Sequence, residues 1–366
     1  MDRQTDYDLK LSRLWDRLES RKLDGVYITR RANFSWLTGG DNRIFLNHPT
    51  GSSSLLITRK GKYLLAAVMD GARMLEEEVA GLGIALFSHT WFENRLEILD
   101  MLTRGMHIGS DTPTPGCEYL DEPFWAGVHF PLTEFDIAVA RKVGAESDAA
   151  FQKVCRDIQP GDSERKIAGM LMGEFFSQGF YASVMLVGSD ERLYKFRHCL
   201  PTEKPVDKLV LMHIAGHKYG FHANVTRMVH FGPIPEELHH RFRVVSTLNA
   251  MLLSYLEPGI PFTVLGEKMK EAYNQLGWGD EWKGHVQGFP CGFETCYDTW
   301  ACYPDALVGY NQAYDWLQTI PGVKTEELSL FTQDKGAEII SVGSDWPVLP
   351  VQAGDKTWHE PDILTR

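Results

Sequence analysis

Nothing in this chain suggests a disulfide scaffold, a zinc knuckle or a membrane span. Six cysteines, at positions 117, 155, 199, 291, 296 and 302, are spread through 366 residues, too thinly for a small oxidised fold. No two of them form a CxxC pair, which removes the usual signature of a structural zinc site. No run of about 18 apolar residues occurs, so no span of a membrane is expected. The charged start MDRQTDYDLKLSRLW lacks the apolar stretch of a secretory signal. Basic charge is scarce as well: 37 Lys and Arg against 49 Asp and Glu give a net charge of -12. Nucleic acid and anionic membrane both need a basic surface, so neither is expected as a partner. These absences leave a soluble, cytoplasmic protein as the expectation.

What is present suits a two-domain globular protein, with 43% hydrophobic residues and a length beyond one typical domain. Leu11, Leu14, Trp15 and Leu18 recur at helical spacing, which predicts a helix over 7–21. GVYIT (25–29), SSLLIT (53–58), KYLLAAV (62–68) and HIGSD (107–111) predict strands, and DGARMLEEEVAGLG predicts a helix between them. This alternation predicts a small α/β domain over residues 1–132. From residue 133 the pattern becomes α+β, giving a second domain over 133–366. Phe151, Val154, Cys155 and Ile158 share one helical face, and Asp162 or Ser163 can cap the helix that follows. ASVMLVG (182–188) reads as a strand. One further helix starts at Pro235 and carries Leu238, Phe242, Val245, Leu248 and Leu252, and another spans roughly 263–276.

One stretch concentrates imidazoles. HIAGHKYGFHANVTRMVHFG (213–232) holds four histidines in two alternating runs around GHKYG. With the turn centred on Lys218-Tyr219, His213 faces Asn224, Ala215 faces His222 and Leu211 faces Thr226. Side chains two apart share a strand face, so His213, His222, Asn224 and Thr226 project to one side. His217 falls in this turn and is expected in solvent. His230 and Arg227 are expected to be structural, Arg227 through an ion pair.

Five segments together resemble the family of aminopeptidase P, prolidase and creatinase. RLESRKLDGVYITRRANFSWLTG (17–39) is similar to the family's entry segment, and IQPGDSERKIAGMLMGEFFSQG (158–179) to its first catalytic-domain helices. FRHCLPTEKPVDKLVLMHI (196–214) resembles the segment carrying an active-site histidine, EWKGHVQGF (281–289) the Gly-His motif, and GVKTEELSLFT (322–332) the closing glutamate motif. The resemblance implies an α/β N-terminal domain and an α+β "pita-bread" catalytic domain. It also implies a homodimer, with Asn33-Phe34 or Asp41-Asn42 reaching a partner's site.

The family's peptidases hold two divalent metals with two Asp, one His and two Glu. The resemblance places His213 and Asn224, eleven residues apart, at the two Asp positions. His285 falls at the His, and Leu317 and Glu326 at the two Glu. Two dications about 3.5–4 Å apart need several carboxylates around them, which Asn224 and Leu317 do not offer. No metal or other cofactor is therefore expected.

The resemblance to creatinase then implies a metal-independent hydrolase of a C–N bond in a small polar substrate. His198 is the proton carrier, with His213, His285 and Glu326 as further catalytic residues. His222, Asn224, Thr226 and Glu327 are expected to bind substrate. Glu326 and Glu327 are adjacent, so a strand turns only one of them inward. Three alternatives stand beside this reading. A single divalent ion held by His213, His285 and Glu326 would support hydrolase or lyase chemistry. A non-catalytic binding protein on the same fold would leave these side chains dispersed. An orthodox Xaa-Pro peptidase would need the full metal set. Cys291, Cys296 and Cys302 read as small apolar residues rather than nucleophiles, and Phe289, Phe293, Tyr297, Trp300, Tyr303, Tyr310 and Tyr314 read as a pocket wall or core.

Overall fold

The computed structural model describes residues 1–46, 48–293 and 306–366. They divide into two compact units, residues 1–136 with 219–221, and residues 137–218 with 222–366.

In the first unit, α1 (Arg3–Ser20) begins where the Asp2 side chain accepts from the Thr5 N–H, and it buries Leu14 and Leu18. Six strands form one sheet: β1 (Gly25–Arg30), β2 (Thr50–Thr58), β3 (Gly61–Ala67), β4 (Ala85–His89), β5 (Ile108–Ser110) and β6 (Glu118–Tyr119). Their order is β4-β3-β2-β1-β5-β6. Helices α2 (Arg31–Thr38), α3 (Val68–Arg73), α4 (Arg95–Thr103) and α5 (Glu122–His129) complete the α/β unit. The helix expected from DGARMLEEEVAGLG is α3 followed by one π-type turn over Met74–Glu78. Lys10 is fully buried and neutralised by Asp6 at 2.7 Å and Asp136 at 2.6 Å, as a buried ammonium must be. Asn33 and Asn42, expected to reach a partner, are instead buried and committed locally. Asn33 donates to Asp111 and Asn42 to the Ser53 carbonyl.

Helix α6 (Glu134–Asp157) leads into the second unit, and Phe151, Val154 and Cys155 on its spacing-derived face are buried. Ser163 caps α7 (Glu164–Ser177) by accepting from the Lys166 N–H. Strand β7 (Tyr181–Ser189), the short helix α8 (Glu191–Lys195), β8 (Leu209–Lys218) and β9 (Phe221–His230) follow. Two long helices come next, α9 (Glu236–Ser254) and α10 (Phe262–Gln275). The chain then forms β10 (Gly288–Cys291), β11 (Gln312–Ile320), β12 (Val323–Thr332), β13 (Gly336–Ile339), β14 (Val348–Ala353), β15 (Lys356–Pro361) and β16 (Leu364–Thr365). Two four-stranded sheets result, β16-β9-β8-β7 and β10-β11-β12-β13, beside the ribbon β14-β15. Leu238, Phe242, Val245, Leu248 and Leu252 of α9 are all buried, and α9 packs across β11, β12, β14 and β15.

Strands β9 and β12 are buried along their whole length, and β8 along all but its last residue. Alternate residues therefore enter two different interiors, and the polar ones share a face. The turn between β8 and β9 lies one residue later than expected. Tyr219 and Gly220 carry the positive φ values, 55° and 75°, of a two-residue hairpin turn. Moving a turn by one residue shifts the pairing by two, so face parity is kept. His213 meets Thr226, at 3.2 Å, rather than Asn224. His217, expected in solvent, is buried with its ring 4.7 Å from that of His222.

Candidate active site

Four strands of the second unit aim polar side chains into one buried cluster. The Oε2 atom of Glu326 on β12 is its hub. It accepts from Lys324 Nζ at 2.6 Å, from the Thr226 hydroxyl at 3.0 Å, and from His213 Nδ1 at 2.8 Å. Burial alone would push Glu326 up, but His213 and Lys324 together outweigh it and hold the carboxyl well below the usual range. Burial lowers His213, against the pull of the Glu326 charge. Beside the hub, Asn224 on β9 donates to Asp315 on β11. Burial, then the Glu326 charge, raises Asp315 well above an ordinary carboxyl.

A second pair stands at the edge of this cluster. His198 lies in the loop after α8, and His285 follows a short 3₁₀ turn over Glu281–Gly284. Their Nε2 atoms are 2.8 Å apart, with the rings nearly perpendicular. His285 Nδ1 is 2.9 Å from the Val286 carbonyl, which can only accept, so Nδ1 carries the proton. His285 Nε2 is then the acceptor, and His198 donates Nε2–H to it. This leaves the lone pair of His198 on Nδ1. Burial, then the Lys324 charge, lowers His285 to about 4 and also lowers His198. His198 is the more exposed of the two. An ion pair between Arg197 and Glu281 ties the two loops together. Gln287 donates to the Trp282 and His285 carbonyls at 3.0 and 2.7 Å, and Gln318 on β11 donates to the Gln287 carbonyl at 3.0 Å. The sheet thereby fixes where His285 points.

The structure thus joins His198 to His285, and His213, Thr226 and Glu326 to one another. Asn224 adjoins them through Asp315. The Glu326 and Lys324 charges act on His198, His285 and His213 alike. Glu327 and His222 are not drawn in. Glu327 is on the other face of β12, bound by Arg227 and the Ser341 hydroxyl, so the expected substrate contact is replaced by a buried ion pair. His222 instead lies with its ring tilted at 52° to that of His217. Sequence reasoning passed over two members, Lys324 and Asp315. Each lies two residues from an assigned position, Glu326 or Leu317, and period-two alternation puts both on the same face. Cys291, Phe293 and Tyr314 are buried core residues, while Cys296, Tyr297, Trp300, Cys302 and Tyr303 lie outside the described residues.

Two family models match the chain in order: the creatinase/prolidase N-terminal domain over residues 10–110 and metallopeptidase family M24 over residues 138–302. The uncharacterised peptidase YqhT of Bacillus subtilis is 21% identical over 78% of this chain and 83% of its own. The Xaa-Pro dipeptidase of Bacillus anthracis superposes with a TM-score of 0.74 at 16% identity, covering 98% of this chain and 100% of that one. The dipeptidase PepE of Mycobacterium ulcerans superposes at 0.76 and 15% identity, covering 99% of each. These likenesses show the two-domain, pita-bread fold.

The match to a metallopeptidase family overturns the expectation that no cofactor is used, because a metal is what that family implies. The donor set found here does not fit its dinuclear pair, however. Leu317 is apolar, Asn224 donates to Asp315, and Glu326 accepts from Lys324 and His213. Among the described residues no three His, Cys, Asp or Glu side chains gather in a metal-holding group. Among these residues the single-ion array of His213, His285 and Glu326 is therefore not assembled either. With both domain models met in sequence and the fold shared from end to end, this chain belongs to metallopeptidase family M24, the group of aminopeptidase P, prolidase and creatinase.

Proposed function

We propose that this protein hydrolyses a C–N bond in a small substrate, with His198 carrying the proton. The supporting observation is the His198–His285 contact beside the Lys324–Glu326–His213 cluster. A general base at neutral pH needs an unprotonated nitrogen facing its substrate and a fixed ring. His198 has both: its pKa is lowered, and His285 accepts its Nε2–H. His198 Nδ1 removes a proton from water as the water oxygen bonds to the carbon of the C–N group. The same nitrogen then returns that proton to the departing nitrogen as the C–N bond breaks. His285, held neutral, keeps the ring oriented through both steps. Burial, then the Lys324 charge, favours the base form of His198.

Xaa-Pro dipeptides and N-alkyl amidines make a suitable panel to find the substrate. On the best of them, His198→Ala lowers kcat by about 10²–10⁴-fold, the usual worth of a positioned acid–base group. His285→Ala produces a smaller loss and moves the acidic limb of the kcat profile. Unchanged turnover in His198→Ala would refute the assignment.

A further inference from the structure

A histidine that carries a proton must be held still, yet His198 is exposed and lies in a loop without regular structure. Its neighbours Phe196 and Leu200 are exposed as well. The loop is gripped from beneath. Glu164, the first residue of α7, is fully buried, and three segments of the chain meet at its carboxylate. Oε1 accepts from the Ser189 hydroxyl at the end of β7 at 2.8 Å. Oε2 accepts from Arg192 on α8 and, from the far side of the loop, the Thr202 N–H at 3.0 Å and hydroxyl at 2.7 Å. The first amides of α7 have no partner within the helix, and they close on the same stretch. Arg165 N–H donates to the Thr202 carbonyl at 2.9 Å, and Glu164 N–H to the Lys204 carbonyl at 3.0 Å.

Arg192 spans the loop. One arm of its guanidinium is on Glu164, and the other donates to the Leu200 carbonyl at 3.1 Å. Its own carbonyl accepts from the Phe196 N–H at 2.9 Å. The residues two before and two after His198 are therefore bound to the same arginine. An ion pair serving stability alone would need one arm; the second arm holds backbone two residues from His198. We infer that Arg192, oriented by Glu164, is a positioning residue that holds His198 against His285. The inference rests on the hydrolase reading for its effect on turnover but not for its effect on the contact between the two rings. The role requires a planar fork. A lysine ammonium on its flexible stem serves Glu164 but does not hold the Leu200 carbonyl in the same plane. A misplacement of about 1 Å at a reacting group can cost about 10²-fold in rate, so a loosened loop is felt in kcat.

The test is Arg192→Lys in the full chain, which keeps a charge beside Glu164 and loses the fork. Two quantities are measured. One is kcat and KM on whichever dipeptide or amidine of the panel is turned over best. The other is the nuclear Overhauser cross-peak between the ring protons of His198 and His285, whose centroids are 4.8 Å apart, in histidine-labelled protein. Arg192→Lys should lower kcat about tenfold or more and leave KM within about twofold. The cross-peak should fall to about half or less, in a protein with the parent's circular dichroism. Should Arg192→Lys fail to fold, Thr202→Val decides: it removes one hydroxyl held by Glu164, leaves the ion pair, and should weaken the same cross-peak. A full-strength cross-peak in the folded variant overturns the inference whatever its turnover, as does a loss expressed in KM alone. The two readings fail separately. If His198→Ala leaves turnover unchanged while Arg192→Lys breaks the ring contact, the proton-carrier role falls and the positioning role stands.

Discussion

At the scale of single residues, Lys324 is the cation felt by three histidines without being a candidate nucleophile or base. Its side chain is 4% exposed and its ammonium is 2.6 Å from Glu326. It favours the neutral forms of His198, His213 and His285. Lys324→Met removes that charge, so the His198 and His285 titrations, followed by NMR of the ring protons, should both move to higher pH. The acidic limb of the kcat profile should move the same way. Breaking a buried ion pair from one side costs about 3 kcal/mol, toward the low end of such cases because Thr226 and His213 still satisfy Glu326. An unmoved His198 titration would mean that Lys324 serves stability alone. The motif containing Lys324 was legible in the sequence, yet its role was not. A lysine within a strand reads as a solvated charge until its neighbours are known. Asp315 escaped notice for a related reason: its partners lie on strands distant in sequence, as Asn224 is 91 residues away.

At the scale of elements, the fold was largely readable and the site only partly so. Periodicity located α1, α6, α7, α9 and α10 because each buries a continuous apolar stripe. Strand alternation found β8 and β9 and the face carrying His213, His222, Asn224 and Thr226. It missed the turn by one residue, because GHKYG offers two centres and only Tyr219-Gly220 supplies a glycine where φ is positive. What alternation could not supply is how β10, β11 and β12 align. Gly288 sets that alignment. Its φ is 124°, and a Cβ there would stand 2.3 Å from the Trp316 ring and 2.5 Å from the Asp315 carbonyl. Gly288→Ala should therefore push β10 away from β11 and disturb both Asp315 and the loop of His285. We expect a loss of about 3 kcal/mol in urea denaturation, combining overpacking with an unfavourable φ, together with reduced turnover. Native stability in this variant would show that the strands yield at no cost.

At the scale of the whole molecule, the core of the second unit stores protons, and this sets how stability responds to pH. Glu327 on β12 and Glu360 on β15 are fully buried. Burial pushes Glu327 up to about 7 despite Arg227 and Ser341, and Glu360 up to about 8 despite the Asn249 amide. An ordinary glutamate titrates near 4.5. The folded chain thus keeps protons that the unfolded chain has released, and the unfolded state binds fewer. Stability from these groups is fully present below about pH 4.5 and is lost as pH rises through about 7 and 8, with a limiting slope of about 1.4 kcal/mol per pH unit for each. Buried imidazoles act in a different window. His129, lowered to about 3, and His285, lowered to about 4, cost stability only as pH falls below about 6.5. Above pH 6.5 the raised carboxyls therefore dominate, Asp315 acting in the same direction, and unfolding free energy should fall between pH 6.5 and about 8. Glu360→Gln keeps the shape and the acceptor for Asn249 but cannot ionise. Urea titrations at successive pH values should show this variant gaining on the parent as pH rises, with the largest share of the parent's slope lost between about pH 7 and 8, where Glu327 has already ionised. Parallel curves for the two proteins would place the stored proton elsewhere in the core.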